Sequence, residues 1–477
     1  MECVMTSGKT FLGPKLRQLR TERGLTQSGM AKALGLSTSY VNLLENNQRS
    51  LSVQVLMRIS QVYGVDWRDL VTDDTPGKLA ELRSVLQDPV FDSARPDLQE
   101  LRAALDHSPT LARSVVTIYN NYRTLTERLM SERDAAPQDD GGAMLAATPE
   151  AVVHDLFRTH RNHFTALEEI ADTFFGGGRI PSDEVYFYLK TRLKDRLGIK
   201  VTTVPVAELP GTLRSYDQTE QVLRLSEGLD FRNRIFQLAH MIGLLEYGPL
   251  IDGIISENTI EGSRNQARCR VELANYFAAA VLMPYDPFIA EARKCRYDLD
   301  HLAARFGVSL EQVSHRVTTL QREGNQGVPF FFLRIDKAGN VTKRFNATTI
   351  HLAEYGGACP RWDIHISFRM PGRILPQFVE MPDGSKYFTI NRTVDRPTFG
   401  HQSQDHRLAI TLGCSTEYAS ELVYAGQFQI GDPDIFTPIG INCRLCPRHA
   451  CSQRAHQPIH LDLPIDEHKR GQTRFES

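Results

Sequence analysis

Up to about residue 72 the apolar positions sit at helical spacing, in short runs separated by turns that glycine and serine mark. A second helical segment spans about 76–133. Its apolar stripe runs Leu79, Leu82, Leu86, then Leu98, Leu101, Leu105, then Leu111, Val115, Ile118, Tyr122, broken at an Asp-Pro and an Arg-Pro step. The stretch "DAAPQDDGGAMLAATP" has little to bury and reads as a linker. Residues 149–325 are mostly helical in pattern, whereas 328–477 turn to glycine, proline and β-branched residues. There, "VPFFFLRIDKAGNVTKRF" predicts two strands joined by a turn at "DKAGN". The expected fold is therefore mainly α, with an α+β C-terminal part and no internal repeat.

Composition changes this picture only locally. A chain of 477 residues, 41% hydrophobic and 23% charged with a formal net charge of -2, has room for several modules. No apolar run nears the ~18 residues of a membrane span, and the N-terminus lacks a signal-peptide pattern. A cytoplasmic protein without a membrane partner is expected. Residues 1–70 hold nine Lys/Arg against five Asp/Glu, which suits contact with nucleic acid. Five of the eight cysteines lie at or after Cys359, and three fall within nine residues. In a reducing compartment such a cluster points to a metal or cofactor rather than to disulfides.

The N-terminal module carries the spacing of a five-helix DNA-binding domain. Thr26 caps a helix that turns Met30, Ala31 and Leu34 inward, Gly35 makes the turn, and Ser37 caps the next helix with Val41 and Leu44 inward. The start of that helix offers Thr38, Ser39, Tyr40 and Asn42 to base edges in a major groove. Gln27 begins the preceding helix and can reach a base or phosphate, and Gln48 and Arg49 are placed for backbone phosphates. With "SYVNLLENNQR" and the final "YGVD" in register, the segment resembles the Xre/Cro/C1 helix-turn-helix family. Such domains usually bind as dimers. The 76–133 helices could supply that contact or could pack on their own chain.

"FRNRIFQLAHMIGLLEYG" looks like a zinc-protease helix without its chemistry. A zincin helix needs His-Glu-x-x-His, and here His240 is followed by Met241 in place of the general base and Leu244 in place of the second histidine. With the "ELAN" of "CRVELANYFAAAVLMP", which places Glu272 where a third ligand would stand, the region resembles the ImmA/IrrE metallopeptidase-like fold. Two ligands cannot make a catalytic zinc site, and Glu246 lies on a different helix face from His240. His240 is expected to be a buried histidine bonded to a nearby acid such as Glu272. The scaffold is expected to serve as a binding cavity and not as an enzyme.

"GINCRLCPRHACSQRA" sets Cys443, Cys446 and Cys451 in one loop, interleaved with Arg444, Arg448 and Arg454, whose charge would stabilise thiolates. A fourth ligand could be Cys359, Cys414, His449 or His456. Three clustered cysteines and a distant one favour iron–sulfur over a structural zinc, which usually shows two paired knuckles. Cys269 and Cys295 read as free buried thiols.

Together with "GGACPRWDIHISFRMPGRI" and "LGCSTEYASELVYA", these segments resemble the short-chain fatty acyl transcriptional regulators over nearly the whole chain. That resemblance implies a transcription factor binding a double-stranded DNA operator and sensing a short-chain acyl-CoA, such as acetyl- or propionyl-CoA, in a degenerate zincin-like middle domain. It also implies a 4Fe–4S cluster on Cys443, Cys446, Cys451 and Cys359, with Cys414 as the alternative fourth ligand and zinc as the alternative metal. For the acyl-CoA, "VYFYLKTRLKDRLGIK" supplies Arg192, and the hairpin supplies Lys343, as candidate phosphate contacts. Phe157, Phe164, Phe174 and Phe175 are candidate pocket walls. Two other readings stay open, a redox sensor signalling through its cluster and an active zinc peptidase that cleaves a repressor.

Overall fold

A computed structural model describes residues 13–63, 75–134 and 148–458, together with Leu463 and His468, apart from 47, 50, 87–88, 92–95, 177–180, 349, 351–357, 396–406, 431 and 450. The chain divides into two compact units, Met1–Arg123 and Thr124–Ser477.

The first unit opens with four helices, α1 (Gly13–Glu22), α2 (Gln27–Leu34), α3 (Thr38–Glu45) and α4 (Val53–Tyr63). The Thr26 hydroxyl accepts the Gly29 N–H at the start of α2, and the Ser37 hydroxyl accepts the Tyr40 N–H at the start of α3. Gly35 ends α2 in the left-handed conformation, with φ 62°, where a side chain would be strained. Met30, Ala31, Leu34, Val41 and Leu44 then meet in one core with Leu16 and Ile59. The fifth helix of the expected module, and the "GVD" that follows Tyr63, lie outside the described residues.

Three more helices follow, α5 (Thr75–Leu86), α6 (Leu98–His107) and the long α7 (Pro109–Asp134). Leu82, Leu101 and Ala112 form their small core. Asp97 and Glu100 close a reciprocal capping box at the start of α6.

The second unit holds both segments that the sequence separates at about residue 326. It contains α8 (Pro149–Thr159), α9 (Thr165–Thr173), α10 (Ser182–Leu197), β1 (Lys200–Val204), β2 (Arg214–Asp217) and β3 (Val222–Ser226). Next come α11 (Phe231–Leu245), α12 (Gly248–Glu257), α13 (Ser263–Leu282), α14 (Tyr285–Lys294), α15 (Leu299–Phe306) and α16 (Leu310–Val317). The strands inside 149–325 are a departure from the mostly helical pattern. They form a sheet of order β1-β3-β2, with β1 and β3 parallel and β2 antiparallel to β3.

The C-terminal part adds β4 (Phe331–Ile335), β5 (Val341–Asn346), β6 (Leu375–Glu380), β7 (Lys386–Val394), β8 (Leu408–Ser415) and β9 (Phe436–Pro438) in a sheet of order β5-β4-β8-β7-β6-β9. β4 and β5 are the predicted hairpin. Gly413 on β8 lies opposite Phe331 on β4, and a Cβ there would collide with the Phe331 ring. Phe332, Phe345 and Ile410 of this sheet pack into the same core as the scaffold helices, which is why the two segments form one unit. Among the described residues no single helix is long and apolar enough to cross a membrane; α11 and α12 pass only as a pair bent by 67°.

Candidate functional site

At the helix-turn-helix, Thr38, Ser39 and Asn42 of α3 are exposed, as are Gln48 and Arg49 after it. Tyr40 departs from the expected exposed row, being half-buried against the module's core. Gln27 is held from behind. Its amide donates to Glu45 Oε2 at 2.8 Å and to Asn42 Oδ1 at 3.3 Å. Glu45, buried, is itself gripped by Arg20 through Nε–Oε1 at 2.6 Å and Nη2–Oε2 at 3.1 Å. Asn46 Nδ2 donates to Asn42 Oδ1 at 2.9 Å and extends the chain along the recognition helix. Two adjacent amides are thereby fixed at the surface expected to face bases. Glu45 and Arg20 were not legible as part of it, because their partners come from 18 and 25 residues away.

In the zincin-like scaffold α11 and α13 pack closely, since Gly243 faces Phe277 so tightly that a Cβ would come within 2.8 Å of the ring. His240 is buried but, against expectation, does not bond to Glu272. Its Nε2 lies 3.2 Å from the Val271 carbonyl, and its Nδ1 has no partner. Glu272 instead takes Lys343 Nζ from β5 at 3.2 Å, Arg268 Nη2 at 3.0 Å and Asn275 Nδ2 at 3.2 Å. An ammonium from the C-terminal sheet thus supplies the positive charge that a metal ion would supply in an active relative. Burial alone would raise the Glu272 pKa; Lys343 and Arg268 outweigh it and hold the group at about 2. Leu244, at the second-histidine position, packs against the apolar core.

Burial, reinforced by Arg214, pushes His240 down to about 3, and burial with Lys343 does the same to His315, whose ring lies 4.2 Å from that of Phe345 at a tilt of 55°. The unfolded chain takes up these protons near pH 6.5 and the folded chain does not. Stability is therefore full above about pH 6.5 and declines as pH falls towards 3, by on the order of 2 kcal/mol per histidine between pH 7 and 5. The stability that Glu272 adds is full above its unfolded value near 4.5 and is lost only below it, outside that window. Urea midpoints at pH 7 and pH 5 test this: His315→Asn is expected to flatten the dependence by one histidine's share, and an unchanged slope would refute it.

Near the C-terminus, Cys359, Cys443, Cys446 and Cys451 line one cavity. Cys414 does not. It is buried in β8 within a different core, and burial drives its thiol well above the ordinary range. His449 and His456 are exposed and are not part of the cavity wall. Among the described residues no group of three or more His, Cys, Asp or Glu side chains closes on a single point as a metal-ion site; the thiols are arranged around the cavity instead. The donor set still fits a thiolate-ligated group on several observations. The Ala455 N–H points to Cys443 Sγ at 3.5 Å, and the N–H groups of Gly440 and Arg361 point to Cys359, whose thiol burial nevertheless raises. Arg454 is buried inside the loop, donating to the carbonyls of Cys443, at 3.1 Å, and of Cys446 and Arg448, while its Nε has no partner. Gly440 leaves room for Cys446, since a Cβ would come within 2.7 Å of its sulfur.

Each of these three segments matches a known protein family. A helix-turn-helix family matches residues 16–70, the IrrE N-terminal-like domain matches 194–318, and the C-terminal domain of short-chain fatty acyl coenzyme A regulators matches 319–475. A propionyl-CoA carboxylase regulator of Cereibacter sphaeroides is 37% identical over 98% of this chain and 99% of its own. The chain belongs to the short-chain fatty acyl coenzyme A regulators. Two helix-turn-helix transcriptional regulators of Mycobacterium tuberculosis, RamB and PrpR, are each 36% identical; RamB aligns over 97% of this chain and 97% of its own length, PrpR over 99% and 97%. A solved structure of a Mycobacterium tuberculosis transcriptional regulator superposes with a TM-score of 0.65 at 35% identity, covering 69% of this chain and all of that one.

Within this regulator the two residues expected to meet acyl-CoA phosphates already have intramolecular partners. Arg192 on α10 pairs with Glu246 through Nε at 2.8 Å and Nη2 at 2.7 Å, donates to Tyr247 Oη at 2.8 Å, and lies over the Phe174 ring. It braces α10 against α11. Lys343 is the partner of Glu272. Phe157, Phe164 and Phe174 are core residues rather than walls of an open pocket, and Phe175 packs beside them. One polar feature escaped the sequence altogether: Arg316 of α16 is fully buried with Glu168 of α9, Nη1–Oε1 at 2.6 Å and Nη2–Oε2 at 2.9 Å, and Tyr276 Oη donates to Glu168 at 2.5 Å. Its partners are 148 and 108 residues apart, beyond any periodic signal.

Proposed function

We propose that this DNA-binding transcriptional regulator acts as a homodimer on an operator in double-stranded DNA and responds to a short-chain acyl-CoA such as propionyl-CoA or acetyl-CoA. The observation that carries this is the middle scaffold, where Lys343 neutralises Glu272 and the second histidine and the base of a hydrolase are absent. A fold so altered has no means to ready water for attack and keeps only its capacity to recognise. The names of the family and of the Cereibacter relative supply the chemical class of the effector. Such an effector changes operator affinity only by binding the two DNA-affinity states unequally. Gel retardation of the full chain on its operator, titrated with acetyl-CoA, propionyl-CoA and free CoA, tests the reading. A shift with an acyl-CoA but not with free CoA is expected; identical retardation under all three would overturn it.

The same reading assigns a 4Fe–4S cluster to Cys359, Cys443, Cys446 and Cys451. Thiols set around a cavity, with N–H groups pointed at sulfur and a buried guanidinium alongside, favour a cluster over a single zinc. When bound, the cluster would supply a redox-active centre held by these thiolates. In protein purified without air, Cys359→Ser is expected to lose most of the iron and the charge-transfer absorbance, while Cys414→Ser retains both. The reverse pattern would move the fourth ligand to Cys414.

A further inference from the structure

The long helix α7 carries two apolar arcs, and among the described residues one of them packs into the small core shared with α5 and α6. Ala112, Val116 and Tyr119 face the neighbouring helices. The second arc begins about 100° away around the helix. On it Leu111 is 64% exposed and Ile118 68% exposed, and Leu125 is exposed as well. Val115 lies between the two arcs, half-buried. Leu111, Val115, Ile118, Tyr122 and Leu125 alternate at steps of four and three, and in the sequence Leu129 takes the next place. That is an unbroken heptad seam with Leu111, Ile118 and Leu125 at the d positions and Val115, Tyr122 and Leu129 at the a positions.

We infer that α7 pairs with α7 of a second copy of this chain as a parallel, two-stranded coiled coil. Three features select that occupant. A strict 3.5-residue seam is complementary to itself, whereas a helix packing into a globular groove presents a wider stripe. Leucine at two of the three d positions, Leu111 and Leu125, beside β-branched Val115 at a favours two strands over three or four. Ala112, Ser114, Tyr119, Asn121 and Thr126, which flank the seam as far as Leu125, are uncharged, so two copies meet over that span without like-charge repulsion; Arg128 is the first charged flanking position. A parallel pair also puts the same end of both helices, and thus both helix-turn-helix segments, on one side, as a two-fold operator requires. This deepens the homodimer of the proposed function and rests on that reading.

The full chain is examined by sedimentation equilibrium at micromolar concentration, beside Ile118→Glu, Ile118→Lys and, on the polar arc, Asn120→Glu. The wild type and Asn120→Glu are expected to be dimers, and each Ile118 variant is expected to dissociate at least 100-fold more readily with unchanged circular dichroism. Mixing Ile118→Glu with Ile118→Lys is expected to restore dimer, because only a parallel pair sets the two d positions face to face. A monomeric wild type, a dimeric Ile118→Glu, or no restoration on mixing would overturn the inference. Operator retardation of the same wild-type protein separates that failure from failure of the regulator reading.

Discussion

Arg316→Met is expected to destabilise the second unit by about 3–5 kcal/mol, because it strands a carboxylate that the fold has removed from water. Glu168 and Arg316 are essentially inaccessible, and their two parallel hydrogen bonds join α9 to α16 across 148 residues of sequence. Burial works against the Glu168 charge, and Arg316 with the Tyr276 hydroxyl overcomes it, so the pKa lies below the ordinary carboxylate value. Removing one partner leaves the whole desolvation cost with nothing to offset it. Removing both does not, so Glu168→Leu with Arg316→Met is expected to recover most of the loss. Urea midpoints of the wild type, the single variant and the double variant form the test. A single variant within 1 kcal/mol of the wild type would show that the pair contributes nothing.

The second large effect concerns DNA. Gln27→Ala is expected to lower operator affinity by about 1–3 kcal/mol, roughly 5- to 150-fold, the range of one good amide–base contact. Binding to unrelated DNA, which depends on phosphates, is expected to change little. Glu45→Ala is expected to weaken operator binding as well, although Glu45 is buried, because it fixes the amide orientation of Gln27 and holds Arg20. Glu45→Gln keeps an acceptor for Gln27 and is expected to restore part of the affinity. Competition titrations with operator and scrambled duplex at one salt concentration decide this. Equal losses on both duplexes for Gln27→Ala would mean that Gln27 touches only the backbone.

What could be read in advance was local. Caps at Thr26 and Ser37, the turn at Gly35, and the "DKAGN" hairpin are set by residues a few positions apart, and the structure forms each of them. The missing histidine and base of α11 were equally visible, since a helix places them by spacing alone. Contacts that bridge distant segments were not. Nothing near His240 tells that its ring meets a backbone carbonyl while Glu272 turns to a lysine 71 residues on. Arg192 was noticed for its charge, yet its partner Glu246 is 54 residues away and uses that charge inside the fold. The short strands β1 to β3 were missed for a different reason: four- and five-residue runs give too few alternations to stand out among helices.

The central claim, that ligand and DNA compete or cooperate through one chain, is tested most directly by closing a thermodynamic cycle. Calorimetric affinity for propionyl-CoA is measured on the full chain with and without saturating operator, and operator affinity with and without saturating propionyl-CoA. Linkage requires the two ratios to agree, and a coupling of about 1–3 kcal/mol is the expected size. Tight propionyl-CoA binding that is blind to operator would contradict it.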